Sequence, residues 1–488
     1  AYALNEGDKF PKWFSVNGSV NKVVFDASFA DARPASCHGW FANCSSLTAI
    51  EGLAYLNTEA VTDMCSMFDG CSSLTRLDLS TFNTSNVTDM HSMFDGCSSL
   101  TSLGLSTFNT SNVTDMSRMF YGCRALTSLN VSGFNTSKMT KMKDMFYSCE
   151  SLDVSCFNTG NVTSMEGMFE NCKKLQTLDL KNFDTGNVGV MNFMFNHCES
   201  LTSLDVSGFN TGKVWSMSSM FNYCLELPTV DVSNFNTQNV TNMSGMFSYC
   251  PKLTSVDVSK FDTRNVYSLS NMFGQCNELA SVDVSHFNTQ NVEYMGSMFE
   301  GCYKLASIDV TNFDTRKVTD MNGMFNGCNS LTTLDVSSFD TRNVEYMSNM
   351  FENCNELASL DITSFDTRNV THMGNMFYEC NKLTTLDLSN FDTKQVTSMY
   401  EMFFNCKELT TIYATDKFDV SALYYDNNMF YGCEKLVGAV SYDVNKIEKE
   451  MANFTTGYFT QGKSTFGPYV VFSATDGTLT FRQGLKKP

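Results

Sequence analysis

The sequence predicts an α/β solenoid. Successive rungs of 26 residues each contribute one short parallel strand and one short helix, and non-repetitive caps close the ends. Three observations carry this expectation. Cysteines recur at 71, 97, 123 and 149 and again from 172 to 406, with a step of 26 at every interval but one. Cys44 and Cys433 extend the series by steps of 27. A Met-Phe pair stands just ahead of the cysteine, from Met67-Phe68 to Met429-Phe430, and thirteen rungs carry Phe-Asn/Asp-Thr, from Phe82 to Phe391. A fixed period of this size marks a stack whose members bury their apolar faces against one another.

The N-terminal cap is expected over residues 1–40, where "KWFSV", "NKVVFDASF" and "HGWF" are aromatic and do not repeat. Residues 41–436 form about 15 rungs. The rung "LTTLDVSSFDTRNVEYMSNMFENCN" shows the parts in order. Leu334 and Val336 alternate with period 2 and predict a strand. "FDT" and "RN" supply turn chemistry. Val344, Met347, Met350 and Phe351 fall at i, i+3, i+6 and i+7, the apolar stripe of a short helix. The chain then returns through Cys354.

Two methionines and a cysteine so close together are soft ligands of the kind that select copper(I). Trp40 and Leu269 stand in methionine places, however, so size and apolarity are kept rather than sulfur. These positions are read as core. Sixteen of the 19 cysteines form one column. Stacked side chains point the same way, which does not suit a disulfide, so the column is read as buried thiols. Cys37, Cys65 and Cys156 lie off it and are the candidates for an isolated bridge or a reactive thiol. Between Cys149 and Cys172 the step is 23, which predicts a local kink or narrowing. Residues 437–488 form a C-terminal cap, with "YVVFSATDGTLTF" as a hairpin around Asp476-Gly477.

Lys and Arg number 33 against 52 Asp and Glu, a net charge of −19. That argues against nucleic acid and against an anionic membrane, which need clustered cations. No apolar run approaches the roughly 18 residues of a membrane span. Ala1 opens the chain without an initiator methionine or signal peptide, so a mature or excised piece is expected.

The stretch "LTSLDVSGFNTGKVWSMSSMFNYC" (201–224) resembles the 26-residue repeat of BspA-like bacterial surface proteins of the leucine-rich-repeat group, and the resemblance covers nearly the whole chain. It implies a right-handed leucine-rich-repeat solenoid at the extracellular bacterial cell surface. It also implies adhesion to a host protein, a matrix protein or another cell-surface protein. "GTLTF" before "FRQGLKKP" looks like the lead-in to another module.

In each "LDV" strand the central residue points outward. Asp fills that place at Asp78, Asp153 and Asp179, with Gly104 and Asn130 interrupting, and then at Asp205, Asp231, Asp257, Asp283, Asp309, Asp335, Asp361 and Asp387, between rails of mostly Ser and Thr. This ladder is the candidate docking face for a basic protein surface. Calcium ranks behind it, because no rung concentrates carboxylates as a calcium loop does. The plainer reading is a solvated edge that keeps the sheet soluble. After Phe, Asn alternates with Asp and should accept a backbone N–H. Where it is Asp, a cation usually follows two residues later, as at Arg316, Arg342 and Arg368. That stripe reads first as local charge compensation and second as a partner site. "NVT" triplets at Asn86, Asn112 and Asn239 match glycosylation sequons but read more simply as turn Asn and helix-capping Thr.

The five histidines are read as sitting in five different repeat positions, with no zinc spacing and no Ser/His/Asp set. No phosphate loop follows a strand. No catalytic residue, metal or cofactor is therefore assigned. The expectation is a non-enzymatic surface binding module. The alternative is a stiff spacer rod of about 70 Å that projects other domains.

Overall fold

The computed structural model describes residues 4, 9–127, 129–462, 468–473 and 478–483, the last two segments by backbone alone. Two units divide the chain, Ala1–Val256 and Asp257–Pro488, and each is a stack of the repeats read from the sequence.

In the first unit the cap begins with a 3₁₀ helix, Phe14–Ser19. Strand β1 (Lys22–Val24) then pairs in parallel with β2 (Ala49–Glu51), so cap residues form a rung of their own. Trp13 donates its indole N–H to the Trp40 carbonyl at 2.8 Å, and Phe25 meets Phe41 edge-on. These aromatics cover the end of the apolar column. Further on, β3 (Arg76–Leu77) pairs in parallel with β4 (Ser102–Leu103). In the second unit β5 (Thr385–Asp387), β6 (Thr411–Ala414) and β7 (Phe459–Gln461) form a parallel sheet. Strands β8 (Pro468–Ser473) and β9 (Thr478–Gln483) form an antiparallel hairpin. The expected turn residues Asp476 and Gly477 lie outside the described residues. Elsewhere the expected strand shrinks to a single bridged residue, as at Leu129 with Leu152 or Thr229 with Ser255, and in several rungs, that of Leu334 and Val336 among them, no strand forms although the two side chains still turn inward. A second line of parallel bridges runs one residue before the inward methionine: Tyr294, Asp320, Tyr346, His372 and Ser398 in the second unit.

The expected helix is absent. Among the described residues no α-helix forms, and the stretch from Met347 to Cys354 is a chain of tight turns. Asn349 and Asn353 have φ of 61° and 58°, in the left-handed region that no right-handed helix contains. The backbone bonds explain why. The N–H groups of Met347, Asn349, Phe351 and Asn353 donate to the carbonyls of His372, Gly374, Met376 and Tyr378 on the next rung, at 2.7–3.1 Å. Those of Glu352 and Cys354 close turns within the rung on Asn349 and Phe351. Alternate amides thus bond along the stack, whereas a helix would bond all of them within one rung. A left-handed residue at every fourth position brings Met347, Met350, Phe351 and Cys354 inward, the same spacing as a helical stripe. Every rung repeats this pair, for example Ser66 and Gly70, Ser92 and Gly96, Asn375 and Glu379.

The inward column is fully buried: Val344, Met347, Met350, Phe351 and Cys354 are all 0% exposed. Phenylalanine rings stack face to face within each unit. Phe68, Phe94 and Phe120 have centroids 5.7 and 5.8 Å apart, and Phe325, Phe351 and Phe377 have theirs 6.0 and 5.8 Å apart. The shortened rung does not interrupt the stack, since Phe146 and Phe169 lie 5.9 Å apart at 8°. No two cysteines are joined among the described residues. Most column thiols point to the Phe carbonyl of the rung before, as Cys354 does to Phe325 at 3.3 Å. Burial pushes the Cys354 thiol up to about 12.

The Thr of Phe-Asn/Asp-Thr is buried in rung after rung and bonds twice to the next one. Thr341 Oγ1 donates to the Asp366 carbonyl at 2.9 Å and accepts from the Asp366 N–H at 2.7 Å. Thr315 does the same with Asp340. The "NVT" residues are likewise structural. Asn86, Asn112 and Asn239 donate side-chain amide protons to carbonyls of the preceding rung at 2.8–2.9 Å. Thr88 and Thr114 also donate backward, to Thr62 and Thr88. They cap no helix, because there is none to cap.

Candidate protein-binding face

In "LDV" the flanking Leu and Val are buried, so the Asp between them faces solvent. Asp205 and Asp231 in the first unit are exposed, as are Asp257, Asp283, Asp309, Asp335 and Asp361 in the second. Asp387, opposite Tyr413 in the sheet of β5, β6 and β7, is half-buried.

The Asp residues are held by their own turns. Asp335 Oδ1 accepts from the Ser337 N–H at 3.0 Å and from its hydroxyl at 2.6 Å. Asp309 with Thr311, Asp361 with Thr363, Asp283 with Ser285, Asp231 with Ser233 and Asp205 with Ser207 repeat this pattern. The hydroxyl rail on that side therefore serves to fix the carboxylates. These hydroxyl and amide bonds hold Asp205, Asp257, Asp283, Asp309 and Asp335 below the usual carboxylate pKa, so they stay ionised. One oxygen of each is engaged, and a carboxylate has two. In the second unit Asp309, Asp335 and Asp361 line a shallow trough of about 600 Å³ with Thr311, Thr333 and Ser337.

The Arg stripe is arranged differently. Arg316, Arg342 and Arg368 each reach back two residues to Asp314, Asp340 and Asp366, with Nε at 2.8–2.9 Å from Oδ1. A second bond from Nη2 to Oδ2 makes each pair bidentate. The same Asp also accepts the Arg backbone N–H, the bond expected at that position. The stripe is therefore neutralised in place.

One reading of the histidines needs correction. Gly39 N–H bonds the Cys65 carbonyl and Ser66 N–H bonds the His91 carbonyl, at 2.9 and 2.8 Å. That register puts His38, Cys65 and His91 in one column, so His38 and His91 share a repeat position. The 27-residue step at the first rung hides this in the sequence. His38 Nδ1 lies 3.4 Å from Asp63 Oδ2, and ligand atoms of His38, Asp63 and Cys65 all lie within 4.8 Å of one another. The sequence reading missed this group; aligning the rungs on cysteine would have found it.

Among the described residues no helix is long and apolar enough to cross a membrane. The family model described as "Mycoplasma protein of unknown function, DUF285" matches residues 35–156, 149–230, 225–332, 269–360, 301–415 and 357–465. No curated protein matches the sequence. Among solved structures, the chain is similar to a leucine-rich repeat protein from Bacteroides ovatus, at 18% identity over 82% of this chain and 86% of that one, with a TM-score of 0.38. It is similar to a leucine-rich repeat protein from Eubacterium ventriosum, at 14% identity over 84% and 85%, with a TM-score of 0.30. It is also similar to a leucine rich cell surface protein from Faecalibacterium prausnitzii, at 16% identity over 81% and 88%, with a TM-score of 0.28.

Proposed function

This chain belongs to the family described as "Mycoplasma protein of unknown function, DUF285", whose repeats run through it from residue 35 to 465, and we propose that it is a non-enzymatic binding module of the bacterial cell surface that offers an acidic, hydroxyl-rich face to a basic protein. One observation carries the reading. Within the same rungs, two Asp columns are treated in opposite ways. Asp314, Asp340 and Asp366 each have a bidentate Arg partner. Asp309 and Asp335 are ionised and oriented, yet the charges that act on Asp309 are those of its neighbours Asp283 and Asp335, which repel it. Lys260 and His286 offset part of the row at Asp257 and Asp283, but at Asp309 like charge prevails, which is complementary to a row of Lys or Arg on a partner and steers such a partner during encounter.

The test compares three proteins: the wild type, the triple variant Asp283→Asn, Asp309→Asn, Asp335→Asn, and the triple variant Arg316→Gln, Arg342→Gln, Arg368→Gln. Each is presented to host-cell surface extract and to purified matrix proteins, with and without calcium. Loss of capture in the Asp variant alone, with wild-type capture falling as salt rises, supports the reading. Equal capture by all three, or none by any, leaves the spacer rod. The unbroken stacking of phenylalanines within each unit would serve that role.

A further inference from the structure

In the first rungs of the N-terminal unit, two adjacent outer columns hold metal-ligand residue types. One column carries His38, Cys65 and His91; the other carries Asp63, Asp89 and Asp115. In later rungs of that unit the same columns hold Ser218 and Ser244, and Ser216 and Asn242. Ligand types recur singly on these columns, as at Glu166, Asp320 and His372, but His38, Asp63 and Cys65 are brought together as a set of three.

We propose that His38, Asp63 and Cys65 bind one zinc ion or a similar thiophilic divalent ion, with a fourth position open to water or a ligand. The 3.4 Å between His38 Nδ1 and Asp63 Oδ2 is the edge expected of a tetrahedron whose ligand atoms lie about 2.1 Å from its centre. Cys65 Sγ completes the face within 4.8 Å of both. The carboxylate is already oriented, because Asp63 Oδ1 accepts the Cys65 N–H at 2.8 Å and Oδ2 is the oxygen turned to the imidazole. Imidazole, carboxylate and thiolate together suit zinc over calcium or magnesium. Burial and the Asp89, Asp63 and Asp115 carboxylates push the Cys65 thiol up to about 12, and burial with Asp89 raises Asp63. A dication reverses both effects, and its binding releases the thiol proton to solvent. The chain also carries its own control: His91 Nδ1 lies 3.9 Å from Asp115 Oδ1, but the place of Cys65 is taken there by Ser117. The ion would tie His38, from the cap, to the rung that follows it.

The test uses the full chain and cobalt(II) as the optical probe. At one equivalent, a thiolate-to-cobalt charge-transfer band and tetrahedral d–d absorption are expected. Both should vanish in Cys65→Ser and in His38→Asn and persist in His91→Asn. Zinc should slow iodoacetamide labelling of Cys65 at least tenfold, read by peptide mass spectrometry on the wild type, which needs no variant to fold. Calorimetry with zinc in buffers of different ionisation heat should show about one proton released. Absence of the band, its survival in Cys65→Ser, or labelling of Cys65 unchanged by zinc would overturn the assignment.

Discussion

Asn349 separates a ladder of turns from a helix by the sign of a single comparison. Its φ of 61° costs a residue with a Cβ about 1–2 kcal/mol, less for Asn and nothing for Gly. Its N–H donates to the Gly374 carbonyl at 2.9 Å whichever side chain it carries, so substitution changes the conformational term and little else. Asn349→Ala should therefore destabilise the second unit by about 1 kcal/mol, and Asn349→Gly should be neutral or slightly stabilising. In a helix the order reverses, with Ala more stable than Gly by roughly 1 kcal/mol. The two arrangements thus differ by about 2–3 kcal/mol in the Gly-minus-Ala comparison. Native-state hydrogen exchange at the amides of Phe351 and Asn353 is the suitable assay, because a stack opens locally rather than all at once. Urea unfolding gives an independent value. An Ala variant at least as stable as the Gly variant would refute the turn ladder as the source of the rung's stability.

Thr341→Val keeps the shape but strips the Asp366 N–H and carbonyl of their partner, and should cost about 2–4 kcal/mol in urea unfolding. Thr341→Ser, which keeps the hydroxyl, should lose less than half of that; equal losses would put the cost on the methyl group. Burial, with Glu300, Glu379 and Glu401 nearby, raises Glu352 to about 7. The folded state therefore holds this proton where the unfolded chain has lost it, and stability falls as pH rises from about 4.3 through 7. Glu352→Gln should match the wild type near pH 4 and exceed it by about 1 kcal/mol at pH 8, after discounting for partial exposure; a gap that does not change with pH would remove the titration as its cause. Phe351→Ala opens a gap between Phe325 and Phe377 and should cost about 3–5 kcal/mol by the same unfolding assay. A thiol reagent on the native chain should label Cys156, which is exposed, well before the 0%-exposed column thiols such as Cys97 and Cys354, with the labelled positions read by peptide mapping.

The period, the inward columns and the outward Asp row were legible because each rests on a repeated identity: the same residue type at the same place needs the same environment in every rung. The helix was misread because periodicity in apolar residues reports which side chains turn inward, not how the backbone brings them there. Met347, Met350, Phe351 and Cys354 satisfy a helix and a run of turns equally. A partial signal lay in the residues between them, where Asn349, Gly323 and Asn375 suit a positive φ, but Arg118, Phe193 and Glu401 hold the same conformation and give no such sign. The threonine ladder was visible as an identity but not as a cause, since a lone Thr after Asn or Asp reads as turn chemistry until the next rung is placed on it. His38 and His91 fell out of register through one inserted residue.

The alternating amides of the turn ladder have a mechanical consequence. Within each unit these bonds lie along the direction in which rungs succeed one another, so a pull in that direction loads each bond head-on. Head-on loading opens bonds in sequence, whereas sheared strands give way together. Each rung that lets go adds about 90 Å of slack, from 26 residues at 3.3–3.6 Å each. A tether built this way yields in small repeated steps at modest force and lengthens before it parts.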